Sequence, residues 1–176
     1  MALGTPNRGF LMRVFPLPFT NEADRYKLTL FPWQIIAALS FRGAKFSEGR
    51  QIARFKAAMR SVAEISGVPF EEIVWGLKLE WGRCGDRAHF HVVLTGLPPT
   101  KVKAACPLLK YWWTKKGGGR EADVEIFDPK QNGLAYLAKR PGVRPDNATR
   151  STAKFGVNGE DIFFSENFVR LAKLPG

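Results

Sequence analysis

Residues 73–95, IVWGLKLEWGRCGDRAHFHVVLT, alternate large apolar residues with small or polar ones on both sides of a glycine-containing turn. Because successive side chains of a strand point to opposite faces, this alternation predicts two strands joined as a β-hairpin. Pairing Trp81 with Ala88 across the turn brings Glu80 opposite His89. The sequence therefore predicts the hairpin, and we adopt this register for it.

The segments on either side of the hairpin carry further strand and helix patterns. The predicted elements are a strand over 33–41, a helix over 47–66 ended by Gly67, a helix over 100–116 kinked or restarted at Pro107, a strand over 121–127 and a helix over 131–140. The order β-α-β-β-α-β followed by a helix is the ferredoxin-like pattern. It predicts an α+β fold: a ferredoxin-like, RRM-like antiparallel sheet with helices on one face and the active site on the other.

The charge of the chain is strongly positive and unevenly spread. Its 176 residues include 27 Lys and Arg against 16 Asp and Glu, for a net charge of +11. Residues 1–60 carry +7, residues 61–130 carry +1 and the remainder carries +3. A basic excess of this size favours a polyanionic partner, and nucleic acid is the commonest one inside cells.

The length suits a single domain. We predict a basic entry segment over 1–32, a domain over 33–141 and a tail over 142–176, whose amphipathic stretch 163–174 could dock on the domain or bind a partner.

The chain has no apolar run near the roughly 20 residues that span a bilayer and no secretory signal pattern, so we expect an intracellular protein without a membrane partner. Cys84 and Cys106 lack metal-site or disulfide-framework spacing and are expected to be reduced thiols, with a chance disulfide as the minor alternative.

The chain has two histidines, and they are His89 and His91. On a strand, this spacing puts both imidazoles on one face, and the hairpin register adds Glu80 to that face. Two imidazoles and a carboxylate form a mixed N/O ligand set suited to a divalent cation such as Mg²⁺ or Mn²⁺. The alternative is a pair of surface histidines on a solvated sheet face.

The stretch NGLAYLAKRPG, residues 132–142, places Tyr136, Lys139 and Arg140 on one face of the predicted helix. A phenol with a pKa of about 10 is a weak nucleophile unless nearby positive charge offsets its negative charge. The neighbouring cations would supply that charge. The alternative is an amphipathic tyrosine on a basic surface helix. The run Tyr111-Trp112-Trp113 in the preceding helix is instead interpreted as helix packing.

The histidine–hydrophobic–histidine motif at 89–91 is followed about 45 residues later by Tyr-x-x-Lys at 136–139. In this order, the two motifs resemble those of the HUH endonucleases, specifically the rolling-circle replication initiator (Rep) proteins with a single catalytic tyrosine. The resemblance covers roughly residues 33–141. Relaxases of the superfamily carry the tyrosine before the histidines, and its single-strand transposases usually have Gln where this chain has Arg140.

The resemblance implies a role for each motif residue. His89 and His91 would be metal ligands and Glu80 a third, while Tyr136 would be the nucleophile and Lys139 its electrostatic helper. The implied activity is metal-dependent, site-specific nicking and joining of single-stranded DNA at a replication origin, through a 5′-phosphotyrosine intermediate. The implied location is the bacterial cytoplasm or, for a viral protein, the host cell.

A single strand lying on the open sheet face would be held through its phosphates by basic side chains. We predict such contacts from Lys78, Arg42 and Arg140. Because the motif supplies one tyrosine, a second cleavage would need a second subunit, a water molecule or the free 3′ end, and the oligomeric state stays open.

Two other functions compete with this interpretation. The first is a non-catalytic single-stranded nucleic-acid-binding module of RRM-like fold, which would stack bases on sheet aromatics. The predicted open face of the hairpin offers no aromatic pair for such stacking. The second is a metal-dependent phosphodiesterase that uses water as the nucleophile.

Overall fold

The computed structural model describes residues 31–42, 48–81, 88–131 and 162–171. Its strands are β1 (Ile35–Ser40), β2 (Val74–Trp81), β3 (Ala88–Thr95), β4 (Ala122–Ile126) and β5 (Ile162–Phe164). Its helices are α1 (Glu48–Ser66), α2 (Pro99–Lys115) and α3 (Glu166–Leu171), with a 3-10 turn at Phe70–Glu72. The predicted helix over 131–140 falls almost wholly outside the described residues.

The five strands form one antiparallel sheet in the order β4-β1-β3-β2-β5. The hairpin register is the predicted one, since Trp81 pairs with Ala88 and Glu80 with His89. The first four strands have the order 4-1-3-2 of a ferredoxin-like sheet, which confirms the α+β fold. β3, the strand with both histidines, lies at the centre of the sheet.

One face of the sheet forms the hydrophobic core with α1 and α2. Alternate residues of β3, namely Phe90, Val92 and Leu94, are fully buried against these helices. Phe41 and Trp113 pack edge-on around this layer, their ring centroids 5.0 Å apart. The period-two pattern of the strands therefore determines which face receives the helices.

α1 ends where the sequence predicts. Gly67 has a positive φ of 72°, its N–H donates to the carbonyl of Glu64, and the N–H of Val68 donates to the carbonyl of Ala63. These two bonds form a Schellman motif, which satisfies carbonyls that the last helical turn leaves without partners. Val68 then packs against the core and fixes the direction of the chain.

α2 runs through Pro107 as one helix, so the predicted alternative of a restart is wrong.

The predicted packing of the aromatic run holds for Trp113, which is fully buried, but is wrong for Tyr111, which is 52% exposed. The reason is the helical period: residues two apart differ by about 200° around the axis, so Tyr111 and Trp113 face opposite sides.

The glycine run after α2 allows a close approach between the loop and the core. A Cβ added at Gly118 would overlap the indole ring of Trp113, and one added at Gly119 would overlap the carbonyl oxygen of Ser40. The Trp113 indole N–H and the Gly119 N–H both donate to that same carbonyl. The loop is thus fastened to the end of β1, which brings β4 alongside it.

The C-terminal segment covers part of the second sheet face. Phe164 pairs with Gly76 and lies over it, where a side chain on β2 would collide with the ring. Phe168 is fully buried and stacks on Phe164, with ring centroids 4.2 Å apart. Trp33 stacks on Phe168 from the other end of the chain. A second, smaller aromatic cluster therefore closes one end of this face.

No helix in the described part of the chain is long and apolar enough to cross a membrane.

Candidate functional site

His89 and His91 lie on the sheet face opposite α1 and α2, as their spacing predicts. Both side chains are half-buried. Their Nε2 atoms are 3.1 Å apart, and the rings meet edge to face with centroids 4.8 Å apart. The imidazoles therefore converge on one point above the centre of the sheet.

The strand register defines the neighbours of each histidine. His91 lies between Lys78 on β2 and Ala38 on β1, and Ala38 pairs in turn with Asp123 on β4. His89 lies between Glu80 on β2 and Ser40 on β1. Polar residues thus cross the sheet in two adjacent rows at the end away from the Phe164–Phe168 stack. These rows form the candidate site.

The separation of the two nitrogens fits two ligands of one cation. If an ion lay about 2.1 Å from both Nε2 atoms, the angle between the two nitrogens at the ion would be roughly 95°. This is close to the right angle between neighbouring ligands of an octahedral ion such as Mg²⁺ or Mn²⁺. The same separation also allows one imidazole to donate a hydrogen bond to the other, with the donor set by the tautomers. The pair is therefore arranged for a shared cation or a shared proton.

The carboxylates nearest to the histidines come from two strands. Glu80 is directly opposite His89 in the backbone register, and its side chain lies outside the described part of the site. Asp123 is exposed on the other side of His91, one strand further away. Among the described side chains, no group of three or more His, Cys, Asp or Glu is close enough to hold a metal ion. The described side chains therefore bring together the two imidazoles and no third potential ligand.

A cleft of about 300 Å³ opens beside His91 on the same face. It lies over β1 and β4, and its walls include Ile36, Ala38, His91, Asp123, Glu125 and Phe127. The small Ala38 side chain leaves room between the imidazole and the acidic edge strand. Sequence reasoning did not predict this cleft, although the period-two placement of Asp123 and Glu125 on one face was the available signal.

The predicted DNA contacts have different environments. Lys78 is only 3% exposed, which differs from the solvent-facing position that we expected. Its register partner on the far side is Ile162 of β5, a strand that the sequence did not predict as part of the sheet. Arg42 is exposed two residues beyond Ser40, at the end of the sheet that carries His89. Of these two, Arg42 has the surface position expected of a phosphate contact.

The predicted nucleophile Tyr136, its helper Lys139 and the DNA contact Arg140 lie outside the described residues. Gln131, the last described residue before the segment that contains them, lines the cleft beside His91.

Comparison with known proteins returns no match among protein-family models, curated proteins or solved structures.

Proposed function

We propose that this protein nicks and rejoins single-stranded DNA at a replication origin, as a rolling-circle initiator of the HUH endonuclease type. One observation carries the proposal: the imidazoles of His89 and His91 converge, with 3.1 Å between their Nε2 atoms, on the central strand of a sheet face that no long helix of the described chain covers. Residues with carboxylate side chains at neighbouring register positions, Glu80 and Asp123, favour a shared divalent cation over a shared proton.

The residues that would hold Mg²⁺ or Mn²⁺ are His89, His91 and one carboxylate. Glu80 is the first choice because it is the direct register partner of His89. Asp123 is the second because it lies beside His91 across Ala38. A bound cation would polarise the scissile phosphate and offset its negative charge. The cleft between His91 and Asp123 gives a phosphate room to approach this point.

Tyr136 would supply the attacking oxygen. Its phenol loses a proton to solvent and its oxygen bonds to phosphorus, while the bond from phosphorus to the 3′ oxygen breaks. The 3′ oxygen takes up a proton and leaves as a hydroxyl, so the 5′ phosphate stays joined to the tyrosine. The ammonium of Lys139 would stabilise the developing phenolate charge. Attack by a 3′ hydroxyl on the same ester reverses the step and joins strands.

A denaturing gel with a labelled single-stranded oligonucleotide that carries the origin nick site tests the proposal. Wild-type protein with Mn²⁺ should give a slowly migrating covalent adduct and a free 3′-hydroxyl product. Tyr136→Phe should keep DNA binding and lose both products, because only the hydroxyl is removed. Tyr26→Phe is the matched control and should behave as wild type.

The other outcomes separate the competing functions. Cleavage without an adduct in the wild type would identify a phosphodiesterase that uses water. Binding without cleavage or adduct would identify a nucleic-acid-binding module. An adduct that persists in Tyr136→Phe would show that the nucleophile is assigned wrongly.

A further inference from the structure

The solvent face of α2 carries positive charge only. The helix contains Lys101, Lys103, Lys110 and Lys115 and no acidic residue, although residues 61–130 as a whole are nearly neutral. All four lysines are exposed, as are Lys116 and Arg120 just after the helix. The positive charge of the middle of the chain is thus concentrated on one surface element.

The lysines are arranged in two rows along the helix. At about 100° per residue, Lys103 and Lys110 lie on one flank of the exposed face, and Lys101 and Lys115 lie on the other. Tyr111 lies between the two rows and is half exposed. The opposite side of the helix packs into the core through Val102, Ala105, Cys106, Leu109 and Trp113. Each row can therefore reach a separate line of negative charge.

Aromatic rings extend this surface at the C-terminal end of α2. The Lys115 ammonium lies 5.4 Å from the centroid of the Tyr111 ring, and the Lys116 ammonium lies 5.1 Å from a Trp112 ring centroid. The two rings meet edge to face, with centroids 5.2 Å apart. Cation–π contacts of this kind hold flexible lysines near fixed positions and lower the entropy lost when they bind an anion.

This surface and the histidine pair lie on opposite sides of the molecule. α2 packs on the core face of the sheet, whereas His89 and His91 point from the other face. A strand held at the histidines therefore leaves the α2 surface unoccupied. Anything bound to α2 is a separate ligand, or a separate part of a long one.

We propose that the solvent face of α2, formed by Lys101, Lys103, Lys110, Tyr111, Lys115 and Lys116, binds the phosphate backbones of duplex DNA. A helix with side chains is about 10–12 Å across, which matches the major groove width of about 12 Å. Lysines on the two flanks then neutralise phosphates of both strands, while Tyr111 faces the floor of the groove. A single strand fits less well, because proteins hold single strands in grooves and this face is convex. Duplex binding by α2 is separate from the nicking reaction and does not require it.

The test is fluorescence anisotropy with a labelled duplex of arbitrary sequence, measured on the full chain without metal over a range of salt concentrations. Lys110→Gln/Lys115→Gln removes one charge from each row. The matched control is Arg60→Gln/Lys130→Gln, which removes the same charge from exposed positions outside this surface. Because all four side chains are exposed, circular dichroism melts should show the fold retained in both variants.

We expect the α2 variant to lower duplex affinity by roughly tenfold or more at 0.1 M salt. The log–log salt slope should flatten by about 1.8, because each phosphate that is no longer neutralised reduces the slope by about 0.9. The control should change the slope by less than about 0.5.

Equal effects of the two variants on duplex affinity would overturn the inference, because the effect would be one of net charge. So would weakened binding confined to a single-stranded probe, or a change in self-association with duplex binding intact. None of these readouts involves cleavage, so failure here is distinct from failure of the proposed nicking activity.

Discussion

The two faces of the sheet are built from alternate residues of the same strands, yet their contents differ sharply. On β3, Phe90 and Val92 are fully buried under α1 and α2, while His89 and His91 beside them are half-buried on the other face. At these positions one face of the strand carries apolar packing and the other carries titratable groups, while Val93, further along the histidine face, is fully buried. The alternation allows stability and chemistry to be changed almost independently.

The second face is itself divided. Its end near Gly76 lies under the Phe164–Phe168 stack, and its other end carries the two histidines and opens into the cleft. The aromatic cover belongs to a segment far along the chain, so this end of the face is closed by tertiary contacts alone. The open part holds His89 and His91 and extends over β1 and β4 into the cleft.

The largest effect that separates the two faces should come from neighbouring residues of β3. Phe90→Ala removes a fully buried ring and should lower the free energy of unfolding by about 3–5 kcal/mol. His91→Ala should change it by less than about 1 kcal/mol, because this side chain lies outside the hydrophobic core. Urea unfolding followed by tryptophan fluorescence measures both. An equally large decrease in His91→Ala would mean that the histidine face is structural.

The aromatic cover should loosen without disturbing the main core. Phe168→Ala removes the fully buried ring that stacks on Phe164. Because a segment this short can undock by local unfolding, amide hydrogen exchange over 162–171 should accelerate by about 100-fold. Amides of β1 and β3 should change by less than about threefold. Equal acceleration in β3 would show that the cover and the core unfold as one unit.

Two glycines test how tightly the core face is packed. Gly118→Ala would place a methyl group on the Trp113 indole and should lower the free energy of unfolding by about 1–3 kcal/mol. Gly49→Ala is the matched control, since nothing lies within 4 Å of the new atom and the position is exposed in α1. It should raise the free energy of unfolding by up to about 1 kcal/mol, from helix propensity. Thermal melts that rank the two variants in the opposite order would contradict this packing.

The smallest effect concerns Cys106, a buried free thiol on the core side of α2. Burial raises the pKa of this thiol above its ordinary value of 9.0, and the negative charge of Glu125 acts in the same direction. Its contribution to stability is therefore present below pH 9 and is lost as the pH rises through the higher folded-state value. In a Cys84→Ser background, iodoacetamide at about pH 8 should modify folded protein at least about tenfold more slowly than urea-unfolded protein. Equal rates would show that Cys106 is accessible.

The sequence is sufficient to predict the elements whose pattern is long and local. The alternation of β2 and β3 determines which of their side chains share a face, and the end of α1 follows from Gly67. The exposure of Tyr111 also follows from the helical period, once that period is applied to each residue of the aromatic run. Local patterns of this kind need no tertiary partner to be interpreted.

The features that sequence reasoning missed depend on contacts between distant segments. β5 has three residues after a polar stretch, too few to show a period of their own. If β5 is not considered, the alternation of β2 places Lys78 on an open face of the sheet. In the structure Lys78 pairs with Ile162 of β5, and the Lys78 side chain is buried. The cleft likewise needs β4 to pair with β1 across a long connection. The catalytic role of Tyr136 stays a prediction from the motif.

Mn²⁺ binding to the purified protein tests the central claim, that His89 and His91 form a divalent cation site, most directly. Titration followed by electron paramagnetic resonance should show one bound Mn²⁺ per chain, weakened at least about tenfold by His89→Ala and by His91→Ala. Ser40→Ala, which changes the register neighbour of His89 on β1, should bind as wild type. Absence of Mn²⁺ binding in the wild type, or binding that both histidine variants retain in full, would contradict the account.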